Sequence, residues 1–253
     1  MLTENFSSIE LGDAAAYAPY FRALPLHAAD YTFTNLWGWG THYNLEWRTA
    51  HGLCWIRQKR NDLPVERLWA PVGDWSAVDW SRVLPAAFSE AAHDFVRVPE
   101  ELLRIWQEAL PGLVDPEEDR GQWEYLYKQE ELADLPGNRF HKKRNHINSY
   151  IKAYGKPDYR PLDDAMVEDV LAVQDDWCQW HECEDSPSLQ AENDAINRVL
   201  SHWDRFSGLH GGSLYVDGRM IAFSVGEKLD ELSLGVHYEK GLNGFRGVYQ
   251  TIN

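Results

Sequence analysis

A carboxylate stands where an apolar residue is expected. In the segment opened by Ser186 as N-cap and Pro187 at the first helical position, Leu189, Ile196, Val199, Leu200, Trp203 and Phe206 form one stripe, and Glu192 falls in its middle. A carboxylate facing a core must find partners or lose its charge. Desolvation raises its pKa, which suits a base that takes a proton from an incoming amine. Paired with a buried arginine or with backbone donors, the same residue is structural.

A second acid/base pair lies further along. In RMIAFSVGEK, Ile221, Phe223, Val225 and Glu227 share one side of a strand and Ala222, Ser224 and Gly226 the other; in LSLGVHYEK, His237 and Glu239 are in phase with Ser233 and Gly235. Small residues on adjacent strands leave room for a ligand or for a close helix. If the small faces coincide, His237 and Glu239 line that room; otherwise they are a His and Glu pair satisfied at a sheet edge.

Charge supplies a third feature. The chain carries a formal charge of −16, yet no acid occurs between Asp134 and Asp158, where Arg139, Lys142, Lys143, Arg144, Lys152 and Lys156 are cationic. On a helical wheel Phe140, Ile147, Ile151 and Tyr154 fall on one face with Lys143 and Arg144 at its edges, while His141, Asn145, Asn148 and Lys152 form a polar stripe beside it. Such a helix docks by its apolar side and presents Lys142, Lys143, Arg144, Asn145 and Asn148 to an anionic substrate, which the rest of the chain repels. The ordinary alternative is a solvated charged face.

The loop EKGLNGFRGVYQ places Gly241, Gly244 and Gly247, with Lys240 and Arg246 among them, before a helix. Amides freed by glycine can hold a phosphate, although a plain turn uses the same residues. WCQWHECEDSPS invites a metal reading through Cys178, His181 and Cys183. At helical spacing Cys183 points away from the other two and no complementary pair exists elsewhere, so no metal site is expected.

Helical patterns near Asp13–Arg22 and Thr34–Gly40 lead into a hairpin, NLEWRT and LCWIRQK, turned at Ala50-His51-Gly52. A strand RLWAP, a helix over about Ser76–His93, the strand DFVRV, a helix from Pro99 to about Pro111-Gly112 and a strand WEYLYK complete a first α+β unit. The second unit has the basic helix Gly137–Tyr154, a strand PDYRPL, helices over about Asp163–Trp180 and from Ser186, a hairpin turned at Asp217-Gly218, a third strand and a helix near Gly247.

Composition bounds the classes. Hydrophobic content of 44% and charged content of 25% describe a folded chain, and the net charge excludes general binding of duplex DNA. Twelve tryptophans read mainly as packing, or as stacking platforms for a sugar if Trp37, Trp39, Trp75 and Trp80 face solvent. Three cysteines at irregular spacing suit a reducing cytoplasm, the N-terminus lacks signal-peptide character, and no apolar run approaches the ~20 residues of a membrane span.

The strings DYTFTNLW, EYLYK, FHKKRNHIN, GGSLYVDGRMIAFSVGE and HYEKGLNGFRGVYQTIN, in this order, resemble the bacterial family of phosphatidylglycerol lysyltransferase C-terminal domains, over roughly residues 25–253. The resemblance implies an α+β fold of two tandem GNAT-like (acyl-CoA N-acyltransferase-like) domains, 1–135 and 136–253. The second carries the transfer site and is shortened at its C-terminus, because the family continues past GVYQTIN. It implies transfer of an acyl or aminoacyl group from coenzyme A or aminoacyl-tRNA, with no tightly bound cofactor, to an amine or hydroxyl acceptor. Under it Glu192, His237 and Glu239 are the catalytic candidates, and Trp177 joins the substrate-binding residues as a wall of the acceptor pocket. Lys240, Gly244, Arg246, Gly247 and Tyr249 hold the donor's phosphates. The rival expectation is a GNAT-like module that binds a nucleotide, peptide or lipid head group without turnover.

Overall fold

Turn chemistry fixes where the strands reverse. His51 and Gly52 both take positive φ (54° and 76°), and so do Asp217 and Gly218 (51° and 81°), the conformation a two-residue hairpin turn requires. The computed structural model describes residues 5–59, 66–87 and 94–253. Two compact units divide at Glu124/Tyr125.

In the first unit, β1 (Ser7–Ser8) precedes α1 (Ala14–Arg22), α2 (Phe33–Gly38) and α3 (Gly40–Tyr43). The Thr32 hydroxyl accepts from the Asn35 amide at 3.2 Å and so starts α2. Asn44 in the left-handed region ends α3 and turns the chain into the hairpin β2 (Leu45–Ala50) and β3 (Leu53–Gln58). Then come β4 (Arg67–Trp69), α4 (Trp80–Ala87), β5 (Asp94–Val96) and α5 (Glu100–Ala109). The sheet order is β1-β2-β3-β4-β5, antiparallel except for the parallel β4/β5 pair. The helix expected over Ser76–His93 is observed as α4, and its expected last residues, 88–93, lie outside the described ones.

Tryptophan builds this core. Trp37, Trp55, Trp69, Trp75, Trp80 and Trp106 are buried, and the indole N–H groups of Trp55, Trp75 and Trp80 donate to the carbonyls of Ala50, Pro71 and Trp75 at 2.8–3.0 Å. A buried indole usually finds such a partner, and Trp106 Nε1 is the exception among these, buried with no partner among the described residues. The expected packing role therefore holds for Trp37, Trp75 and Trp80, which face the interior and offer no stacking platform. WEYLYK is also corrected. Residues 123–128 join no strand, and Trp123, Tyr125, Leu126 and Tyr127 are exposed, because alternation alone supplies no strand to pair with.

The second unit starts with α6 (Gln129–Asp134) and α7 (His141–Tyr154) and continues through β6 (Asp158–Pro161), α8 (Val167–His181), α9 (Pro187–Leu200), β7 (Leu209–Val216), β8 (Arg219–Lys228), β9 (Leu234–Gly241) and α10 (Val248–Ile252). Its sheet, β6-β7-β8-β9, is antiparallel throughout. The order β6, α8–α9, β7–β9, α10 parallels β1, α1–α3, β2–β4, α4 of the first unit, which has one helix more and continues through β5 and α5.

Adjacent residues of a strand point to opposite faces of the sheet. Lys240 reaches Glu192 on α9 and the Trp177 ring on α8, whereas Glu239 bonds Asn253 just past α10, so α8 and α9 cover one face and α10 the other. Tyr150 of α7 packs with Leu214, Ile221, Ala222, Val248 and Ile252 in one buried cluster. The expected docking face of α7 is thereby shifted: Tyr150 is buried and Ile151 is 44% exposed.

Candidate functional site

The glycine loop between β9 and α10 forms one wall of a cleft of about 420 Å³. Residues 241–250 line it on one side, and Trp180 and His181, at the end of α8, line it on the other. Gly244 and Gly247, at φ of 88° and 76°, let the loop turn where a side chain would be strained. The Tyr154 hydroxyl, at the C-terminal end of α7, donates to the Gly244 carbonyl and accepts from the Arg246 amide, both at 3.2 Å, so the basic helix braces this loop.

Behind the cleft runs a chain of polar and aromatic contacts. Glu192 Oε1 accepts from Lys240 Nζ at 2.8 Å, and that ammonium also sits 4.0 Å from the Trp177 ring centre. Trp177 donates through Nε1 to the Tyr249 hydroxyl at 2.7 Å and stacks on the His181 ring, with centroids 3.8 Å apart and planes at 19°. Burial, with the Glu192 and Glu227 charges nearby, pushes the Tyr238 hydroxyl well above the ordinary tyrosine range. That hydroxyl and His237 Nδ1 are buried without a partner among the described residues.

Residues 21–253 match the family profile described as phosphatidylglycerol lysyltransferase, C-terminal. The chain belongs to that family. Across 98% of its length it is similar, at 26% identity and a TM-score of 0.85, to 83% of a conserved protein of unknown function from Bacteroides thetaiotaomicron VPI-5482. It is also similar, at 12% identity and a TM-score of 0.57, to the C-terminal domain of a protein assigned as a lysylphosphatidylglycerol synthetase from Agrobacterium fabrum, with coverage of 96% and 72% of the two chains, a likeness of fold. An uncharacterised protein of Mycoplasmoides gallisepticum is 28% identical over 134 residues, 51% of this chain and 41% of that protein. The chain thus spans less than half of that relative.

Against this member of the lysyltransferase C-terminal family, the expected site residues divide. Gly244, Arg246, Gly247 and Tyr249 line the cleft together. Lys240 does not: its side chain is 7% exposed and points inward to Glu192, because it alternates with Glu239 along β9. Glu192 is on the apolar side of α9, as its place in the stripe requires, but it is the partner of an ammonium, not an unpaired carboxylate. A bulge between Val225 and Gly226 shifts the strand register, and His237 Nε2 meets Glu227 Oε1 at 2.8 Å instead of joining Glu239.

The small faces do coincide, Ser224 opposite Glu239 and Ala222 opposite Gly241, yet they hold no ligand space. A Cβ on Gly241 would stand 2.8 Å from Val248 Cγ1, so α10 occupies the room. On the basic helix, Arg144 donates to the carbonyls of Leu135 and Gly137, and Arg139 pairs with Glu131. Lys142, Asn145 and Asn148 are exposed, and Lys143 lies 6.0 Å from the Tyr127 ring centre. Trp177 is a buried wall behind the cleft, and Trp180, His181, Asn243 and Phe245 are lining residues that the strand-phase and charge arguments passed over. No local signal marks Trp180 and His181, because the glycine loop they face, residues 241–247, is remote in the sequence and only the fold brings the two together.

Cysteine pairing also departs from expectation. Cys178 and Cys183 are disulfide-bonded. The helix stops at His181, and Glu182 at φ 53° turns the chain back, so helical spacing does not apply to Cys183. Cys54 is a buried free thiol whose pKa burial raises far above the usual range. Opening so short a loop removes about 2 kcal/mol. Reduction with a phosphine should therefore lower the thermal midpoint of the wild type and leave Cys178→Ser/Cys183→Ser unchanged.

Burial raises the Glu239 carboxyl above its ordinary value, against the Asn253 hydrogen bond and the Lys143 charge, which lower it. The folded chain therefore holds this proton more tightly than the unfolded chain. Stability should fall as pH rises through the interval between the ordinary carboxyl value and the raised one. In Glu239→Gln that component of a denaturation-against-pH curve should vanish; an identical curve would contradict the burial argument.

Proposed function

We propose that the chain is an acyl- or aminoacyltransferase built of two GNAT-like units, in which the second seats the activated donor in the cleft beside the β9–α10 loop. The observation that carries this reading is the recurrent element order ending, in the second unit, at a glycine loop that lines an open cleft. Membership of a lysyltransferase family supports a transferase role. Coenzyme A and aminoacyl-tRNA both present an acyl group on a phosphate-bearing carrier. The exposed cations Lys142, Lys152 and Lys156 lie on and just past the helix that braces the loop, and suit such a carrier.

The chemistry would be direct attack by an amine or hydroxyl on the donor's carbonyl. Of the three cysteines, two are bonded to each other and the third is a buried protonated thiol, so none serves as a nucleophile. Loop amides not already engaged would stabilise the oxyanion. No described helix is long and apolar enough to cross a membrane.

A closed Glu192–Lys240 ion pair favours a second reading, a module that binds such a carrier without turnover. The two separate in one assay. Labelled aminoacyl-tRNA and acetyl-coenzyme A are incubated with the chain, a panel of amines and phosphatidylglycerol vesicles. A transferase releases free tRNA or free thiol above background; binding of either donor without its consumption would establish the second reading.

A further inference from the structure

The cleft lacks the base that the sequence suggested for it: Glu192, His237 and Glu239 are not among its lining residues, and each has a partner elsewhere. His181 does line it. Its Nδ1 lies 2.7 Å from the Trp177 carbonyl oxygen, which can only accept, so Nδ1 carries the hydrogen. In the neutral ring that tautomer leaves the Nε2 lone pair open, and no described group bonds it. Three constraints hold the ring: the carbonyl bond, the stack on Trp177, and the Cys178–Cys183 bond, which closes the turn on which His181 sits. A fixed imidazole with one nitrogen satisfied and the other free beside a cleft is the arrangement general-base catalysis needs.

We propose that His181 Nε2 is the proton acceptor of this cleft, an inference that rests on the transferase reading above. The acceptor's nitrogen or oxygen attacks the donor's carbonyl carbon and forms the new bond. Its proton passes to Nε2. The carbon–oxygen bond of an aminoacyl ester, or the carbon–sulfur bond of a thioester, then breaks, and the imidazolium returns the proton to the leaving oxygen or sulfur. Tyr249, whose oxygen accepts from Trp177, keeps its own O–H to donate across the same space.

The test uses the intact chain with the two donors named above. His181→Ala should lower kcat by about 10²–10⁴-fold with KM within a few fold, and added imidazole should restore a large part of the lost rate. His181→Phe retains an aromatic ring to stack on Trp177 but has no nitrogen; it should fold, bind donor and stay inactive. Rates near wild type in His181→Phe, or an inactive His181→Ala that imidazole does not rescue, would overturn the role of His181 while leaving the transferase reading intact. A wild type that consumes neither donor would instead remove that reading and this inference together.

Discussion

Gly247→Ala should detach α10 from the second unit. A Cβ there would stand 2.1 Å from the His146 carbonyl oxygen and 2.8 Å from its carbon, a clash with backbone that no rotamer relieves. The residue is also at φ 76°, a region that costs a non-glycine side chain about 1 kcal/mol or more. Either α7 or α10 must move, and Val248 and Ile252 then leave the cluster around Tyr150. We expect a loss of about 3 kcal/mol or more, with hydrogen exchange accelerated across residues 242–253 and unchanged in the first unit. Gly244→Ala is the useful contrast: its added Cβ meets nothing within 4 Å, so only the φ penalty at 88° remains.

Breaking the Glu192–Lys240 pair should have the next largest effect. Lys240→Met leaves Glu192, whose side chain is 29% exposed, without its ammonium and removes the contact with the Trp177 ring. Glu192→Gln leaves an ammonium on a side chain only 7% exposed. Removing one partner of a fully buried pair costs about 3–5 kcal/mol. Because Glu192 is partly solvated, about 2–3 kcal/mol is expected for each single variant here. The double variant should lose clearly less than the two singles added, since neither charge is then stranded. Additive losses in urea denaturation would show that the pair is not a closed unit.

These effects show which features were readable along the chain. The Ser186-Pro187 start of α9, the turns at His51-Gly52 and Asp217-Gly218, and the three-strand order are local, and side-chain chemistry within a few residues decides them. Glu192 was correctly marked as unusual because its stripe is local too. What it pairs with was not readable, because Lys240 is 48 residues away and its side chain's direction depends on strand phase. The same limit explains His237. A single bulge reverses an alternation argument, and no residue type in VGEK or GVHY announces one. Ile151 and Tyr150 exchanged places because hydrophobicity ranks isoleucine first, while the docking face of α7 is set by where α10 lies.

The cysteines teach a related point. Helical spacing separated Cys178 from Cys183 only under the assumption that the helix continues, and Glu182 in the left-handed region ends it. That turn also presents His181 and Trp180 to the cleft. The spacing of the glycine loop suits a phosphate-holding loop and a plain turn alike, and what the structure adds is that Gly244, Arg246, Gly247 and Tyr249 line one cleft.

Whether an activated donor occupies that cleft is the central claim, and backbone amide shifts in a labelled sample give the most direct view of it. Titration with acetyl-coenzyme A and, separately, with aminoacyl-tRNA should produce saturable shifts confined to residues 180–181 and 241–250 for one of the two donors, with tRNA also moving the amides of Lys142, Asn145 and Asn148. Saturable shifts elsewhere with the cleft silent, or none with either donor, would contradict the account.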